Sequence, residues 1–130
     1  MKSREAVLKP KRFLVAEKSR KAADLEAMIR EFEGMADELG RQIHVEEERT
    51  GVRDVSHFNY STFAKSAAAR RDKLLASVAD LRAKLEAANA EYLAAVDELR
   101  LLEADDARDG ESGSIAKTRF ERANYSLGQN

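Results

Sequence analysis

Apolar residues recur at alternating steps of three and four in two long stretches of this chain. The first stretch is cleanest through Ala22, Leu25, Ile29, Phe32, Leu39 and Ile43. The second runs through Leu74, Val78, Leu81, Leu85, Tyr92 and Leu99. This spacing puts the apolar side chains in one narrow stripe on a helix, which leaves water by interlocking with a similar stripe on another helix. The pattern therefore predicts two long helices joined along a coiled-coil seam.

A short segment rich in turn formers and aromatic residues, GVRDVSHFNYS, separates the two stretches. A connection this short makes the helices antiparallel neighbours within one chain. We therefore predict an all-α fold, a long two-helix antiparallel coiled-coil hairpin over residues 1–107 followed by a flexible C-terminal tail. Helix 1 is predicted at about 9–49, the tip at 50–60 and helix 2 at about 61–107. Folding about the tip places Phe32 near Val78, Leu25 near Leu85 and Lys18 near Tyr92.

Residues that are typical of helix starts and ends occur close to the predicted boundaries. Pro10 suits the first turn of a helix, so we expect helix 1 to begin close to it. Gly51 is a C-cap candidate, and Asn59 and Ser61 are alternative N-caps for helix 2. Residues 108–130 lose the heptad pattern and are rich in polar residues and glycine. We predict a polar, disordered tail there, with a short helix over residues 115–124 as the alternative.

The composition excludes several kinds of site. The chain has one proline, no cysteine, no tryptophan and 36% charged residues, which is typical of a helix-rich protein without disulfides or thiolate ligands. His44 and His57 do not match a zinc spacing, and the run Glu46 to Glu48 is typical of a solvated helix face. A glycine-rich phosphate loop is also absent from the sequence. We predict no enzymatic activity, no cofactor and no bound metal.

The charge is unevenly distributed. Residues 1–21, the basic head, carry eight Lys or Arg and two Glu, whereas residues 22–50 carry three basic and nine acidic residues. The head could be a solvated helix end, or it could meet nucleic acid, anionic lipid or an acidic protein. The acidic run disfavours nucleic acid, and we favour an acidic protein. The candidate partner-binding residues are Lys9, Lys11, Arg12, Lys18, Arg20, Lys21 and the tip aromatics Phe58 and Tyr60.

No apolar run approaches the roughly 20 residues that span a bilayer. The basic N-terminus also lacks the apolar core of a secretory signal, so we expect a cytoplasmic protein.

The opening MKSREAVLKPKRFLVAEKSRKAADLEAMIREFEGMADELGRQI and the segment HFNYSTFAKSAAARRDKLLASVADLRAKLE resemble flagellar type III export proteins of the FliJ type, in their alphaproteobacterial form. The resemblance covers about residues 1–107. It implies a small coiled-coil protein, similar to the stalk of rotary ATPases. Such a protein binds the hexameric flagellar export ATPase ring, the export gate and export chaperones at the cytoplasmic face of the inner membrane.

Two other interpretations remain open from the residues. A generic coiled-coil adaptor or scaffold, unrelated to secretion, would dimerise through the same seams and dissociate on dilution, whereas an intrachain hairpin would be monomeric when free. A nucleic-acid-binding protein would use the basic head, and its binding would weaken steeply with salt.

Overall fold

Two long helices make up the fold. The computed structural model describes the backbone of residues 4–128 and the side chains of residues 4–110. Helix α1 spans Arg4–Thr50, and helix α2 spans Thr62–Gly128. No strand occurs in the described backbone. The helices pack against each other in antiparallel fashion, so the predicted all-α antiparallel two-helix fold is confirmed.

The chain divides into two compact units, each built from one segment of either helix. The tip unit comprises residues 19–90, and the terminal unit comprises residues 1–18 with 91–130. Within the tip unit, Leu39 and Ile43 cluster with Ala64 and Ala67 close to the connection. This cluster closes the end of the helix pair nearest the turn.

A second apolar cluster of the tip unit tests the predicted register. Ile29, Val78 and Leu81 are buried together, and half-buried residues pack around them: Leu25, Phe32 and Leu85. Phe32 and Val78 thus share one cluster, as do Leu25 and Leu85, which confirms the register deduced by folding the chain about its tip. Every residue named for the seam is buried or half-buried in the structure.

The terminal unit contains less buried apolar surface. Among its described side chains, only Leu8 and Ala95 are buried. Leu14, Val15, Tyr92 and Leu99 are half-buried. The heptad positions that carry leucine or phenylalanine in the tip unit carry Lys11 and Lys18 here. Hydrophobic burial therefore contributes less to this unit than to the tip unit.

The helix ends differ from the predicted ones. Helix α1 begins at Arg4 rather than near residue 9, so Pro10 lies inside the helix instead of in its first turn. Proline inside a helix removes a backbone donor and crowds the preceding turn. Burial of Leu8 and an ion pair between Arg4 and Asp106 help to offset that cost.

Helix α2 continues past residue 107, where the sequence predicts its end, to Gly128. Gly110 lies within it, and a single glycine weakens a helix by about 1 kcal/mol without ending it. The prediction of a disordered tail falls mainly on residues 111–130, whose side chains lie outside the described residues. Over the part of the chain that the structure describes, neither helix has a window apolar enough to cross a membrane.

Candidate functional site

The basic head of α1 packs beside carboxylates of α2. Lys18 Nζ donates to Glu91 Oε2 at 2.9 Å, and Lys11 Nζ lies 2.7 Å from Glu98 Oε1. These two predicted partner-binding residues are therefore already engaged within the chain. Each pair is partly exposed, so each contributes at most about 1 kcal/mol and weakens with salt.

The pairing extends towards the N-terminus. Arg12 contacts Glu5 at 2.8 Å on its own helix and Glu103 at 3.7 Å on the other. Arg4 pairs with Asp106, at 3.3 Å, and also with Asp109. Four of the eight basic residues of the head thus pair with carboxylates of the opposite helix, which the charge pattern of residues 1–50 alone could not reveal.

The sequence did contain a signal for this pairing. The register that places Lys18 near Tyr92 also places Glu91, the residue before Tyr92, within reach of Lys18. Lys11 lies seven residues before Lys18 and Glu98 lies seven residues after Glu91, so antiparallel helices bring this second pair together as well. The contrast in charge between residues 1–21 and residues 22–50 does not show this pairing, because both segments lie on α1. Of the remaining predicted residues, Lys9 and Arg20 are exposed and make no ion pair among the described residues, while Lys21 is exposed and has an interaction of its own.

The connection between the helices is held by its own hydrogen bonds. Gly51 adopts a φ of 74° and donates its N–H to the Glu47 carbonyl at 2.9 Å, a C-cap that only glycine adopts without strain. Thr50 Oγ1 accepts the N–H of Val52 at 3.2 Å. Ser61 Oγ accepts the N–H of Ala64 at 3.2 Å, so Ser61 rather than Asn59 is the N-cap of α2.

A tight turn fills the middle of the tip. Asp54 accepts both the side-chain hydroxyl of Ser56, at 2.7 Å, and its N–H, at 3.0 Å. These two bonds lower the pKa of Asp54 below its usual value because they stabilise the carboxylate. His57 Nδ1 accepts the N–H of Asn59 at 3.0 Å. The tip is therefore a defined structure that fixes the direction of the residues it exposes.

The two predicted tip aromatics have different environments. Phe58 is 89% exposed, and its ring stacks on His57 with the centroids 4.8 Å apart. Tyr60 is half-buried and donates its hydroxyl to Glu47 at 2.9 Å. Burial, aided by this bond, raises the pKa of Tyr60. Phe58 is available to a partner, whereas Tyr60 is engaged in joining the tip to α1.

The described surface offers shallow grooves. One of these, of about 310 Å³, lies in the terminal unit. It is lined by Arg4, Val7, Leu8, Leu102, Asp105, Asp106 and Asp109. Its lining carries no histidine, serine or lysine that could act as a nucleophile or base next to these carboxylates. Within the described residues, no group of three or more His, Asp or Glu is arranged to hold a metal ion.

We compared the chain with protein families, curated proteins and solved structures, and none of the three comparisons gave a match. The chemistry of the exposed residues and the arrangement of the helices therefore carry the functional argument.

Proposed function

We propose that this protein is a non-enzymatic component of the flagellar protein export apparatus. In this role it is a coiled-coil stalk that binds the export ATPase ring and couples it to the export gate and export chaperones. Two features support the proposal: the antiparallel two-helix fold, which the FliJ-type resemblance implies, and the resemblance of the head and tip segments themselves. The fold is the observation that carries it, because an antiparallel helix pair can present charged and apolar contacts to a surrounding ring without a catalytic pocket.

The exposed residues provide two contact surfaces in this proposal. Lys9, in the terminal unit, and Arg20, in the tip unit, each carry a positive charge without an ion pair among the described residues, and each suits an acidic group of the ATPase. Phe58, directed outwards at the tip, suits an apolar pocket on a partner. The protein acts in the cytoplasm, is monomeric when free, uses no cofactor and binds no nucleic acid. It reaches the inner membrane only through the export apparatus, where it supports flagellum assembly and motility.

The test is a titration of the purified flagellar export ATPase from the same organism with this protein. We expect ATP turnover to rise and the ATPase to assemble into rings, measured by phosphate release and by light scattering after gel filtration. The double variant Lys9→Glu/Arg20→Glu should lose most of the stimulation because repulsion replaces attraction at the contact.

A matched variant separates a specific contact from a general charge effect. Lys65 and Lys73 are exposed in the tip unit, so Lys65→Glu/Lys73→Glu changes the net charge equally while leaving the head intact. It should stimulate like the original protein. If the unmodified, folded protein neither binds nor stimulates the ATPase, the proposal fails and a generic adaptor becomes the better interpretation.

A further inference from the structure

Different forces hold the two units closed. The tip unit contains two clusters of buried apolar residues. The terminal unit instead carries a series of ion pairs from α1 to α2: Arg4 to Asp106 and Asp109, Lys11 to Glu98, Arg12 to Glu103, and Lys18 to Glu91. The two helical segments of the terminal unit are thus joined by partly exposed ion pairs in addition to a smaller apolar seam that includes Leu8 and Ala95.

The lysines of this series lie where a coiled coil normally places apolar residues. Lys11 and Lys18 are half-buried, and their ammonium groups lie on carboxylates of the opposite helix, as expected for a lysine that buries its alkyl stem and keeps its charge near water. Glu91 and Glu98 are seven residues apart, as are their two lysine partners. The head therefore binds a helix that repeats a carboxylate at the heptad spacing beside an apolar stripe.

We propose that this face of the head is the binding surface for an acidic amphipathic helix of a partner protein, and that the carboxylates of α2 occupy it as an internal stand-in. The partner helix displaces α2 from the terminal unit by supplying equivalent carboxylates. An acidic helix fits better than nucleic acid because the half-buried Leu14 and Val15 lie among the basic residues and need an apolar surface to cover them. This inference holds whether or not the partner belongs to flagellar export.

The first consequence is that salt opens the terminal unit and leaves the tip unit closed. The chain has no cysteine, so pairs of spin labels can be introduced without other changes. We would replace pairs of exposed residues by spin-labelled cysteines, Ala16 with Leu93 in the terminal unit and Arg30 with Ala79 in the tip unit. The distance between the two labels of each pair is then measured by double electron–electron resonance spectroscopy.

Between about 0.01 M and 1 M salt the screening length falls from about 30 Å to about 3 Å. We expect the terminal distance to lengthen and broaden while the tip distance stays unchanged. At low salt, Lys11→Glu should open the terminal pair and Lys11→Glu/Glu98→Lys should close it again. An unchanged terminal distance in high salt, or both distances changing together, would overturn the inference.

The second consequence concerns the partner. We would add a synthetic peptide with the sequence of residues 91–110 at low salt and measure the same two distances. It should open the terminal pair, whereas a control peptide with glutamine in place of Glu91, Glu98 and Glu103, and asparagine in place of Asp106 and Asp109, should not. Equal opening by both peptides would mean that the carboxylates are not recognised. Opening by duplex DNA but not by the acidic peptide would refute the assignment to a protein helix.

Discussion

Truncation of Leu81 to alanine gives the sharpest test of the seam. Leu81 is 7% exposed and is buried with Ile29 and Val78 in the tip unit. Leucine-to-alanine changes in protein cores cost about 2 to 5 kcal/mol, depending on how far the site can relax. A pair of helices has only one layer of buried side chains, so water and neighbouring residues can fill the space. We therefore expect a loss of about 2 to 3 kcal/mol in the free energy of unfolding, a roughly 30- to 160-fold change in the folding equilibrium.

The assay is urea denaturation followed by far-ultraviolet circular dichroism. Leu101→Ala is the matched control, because the same atoms are removed from a side chain that is 67% exposed. It should change the free energy of unfolding by less than about 0.5 kcal/mol. Leu81→Asp, which places an unpaired charge in the seam, should unfold the tip unit. Equal effects of Leu81→Ala and Leu101→Ala would refute the assignment of Leu81 to the core.

Three further predictions concern the tip and the helices beside it. Ser61→Ala should cost about 1 kcal/mol of stability in urea because the N-cap bond is lost, and Ser61→Asn should restore most of it. Gly51→Ala should cost about 1 to 2 kcal/mol because of the positive φ, whereas Gly34→Ala, in an open helix interior, should stabilise the protein by about 0.5 to 1 kcal/mol; destabilisation by both would contradict this account. The raised pKa of Tyr60 means that the folded protein holds the phenol proton more tightly than the unfolded chain does. The resulting contribution to the free energy of unfolding is fully present below the unfolded pKa of about 10 and is lost as pH rises through the folded pKa. Tyr60→Phe should remove this alkaline loss in melts across that range, and no difference from the original protein would count against a pKa of Tyr60 raised by burial and by the Glu47 bond.

The heptad pattern was sufficient to predict the helices and their register, because a narrow apolar stripe on one helix can be buried only against a matching stripe on another helix. With period and turn length fixed, Phe32 could meet only the region of Val78. The start of α1 was less predictable, since the preference of Pro10 for a first turn competed with the burial of Leu8 further upstream. Local helix propensity favours Pro10 in the first turn, but burial of Leu8 extends the helix upstream of the proline to Arg4.

The candidate site was only partly predictable. Charge counting found the basic head, but pairing of Lys18 with Glu91 depends on the register as well as on composition. Phe58 and Tyr60 are two residues apart in sequence and are both aromatic, yet one is exposed and the other bonds Glu47. That difference arises from the turn geometry around Asp54, which single-residue preferences do not specify.

The compact turn between the helices also has a consequence for the order of folding. Contacts beside the turn, such as that of Tyr60 with Glu47, join residues 13 apart in sequence, whereas Arg4 and Asp109 are 105 apart. Closing a short loop costs less entropy than closing a long one, so contacts beside the turn can form first and the helices can then zip towards the termini. Substitutions near Ile43 should therefore slow refolding, whereas substitutions near Lys11 should mainly speed unfolding.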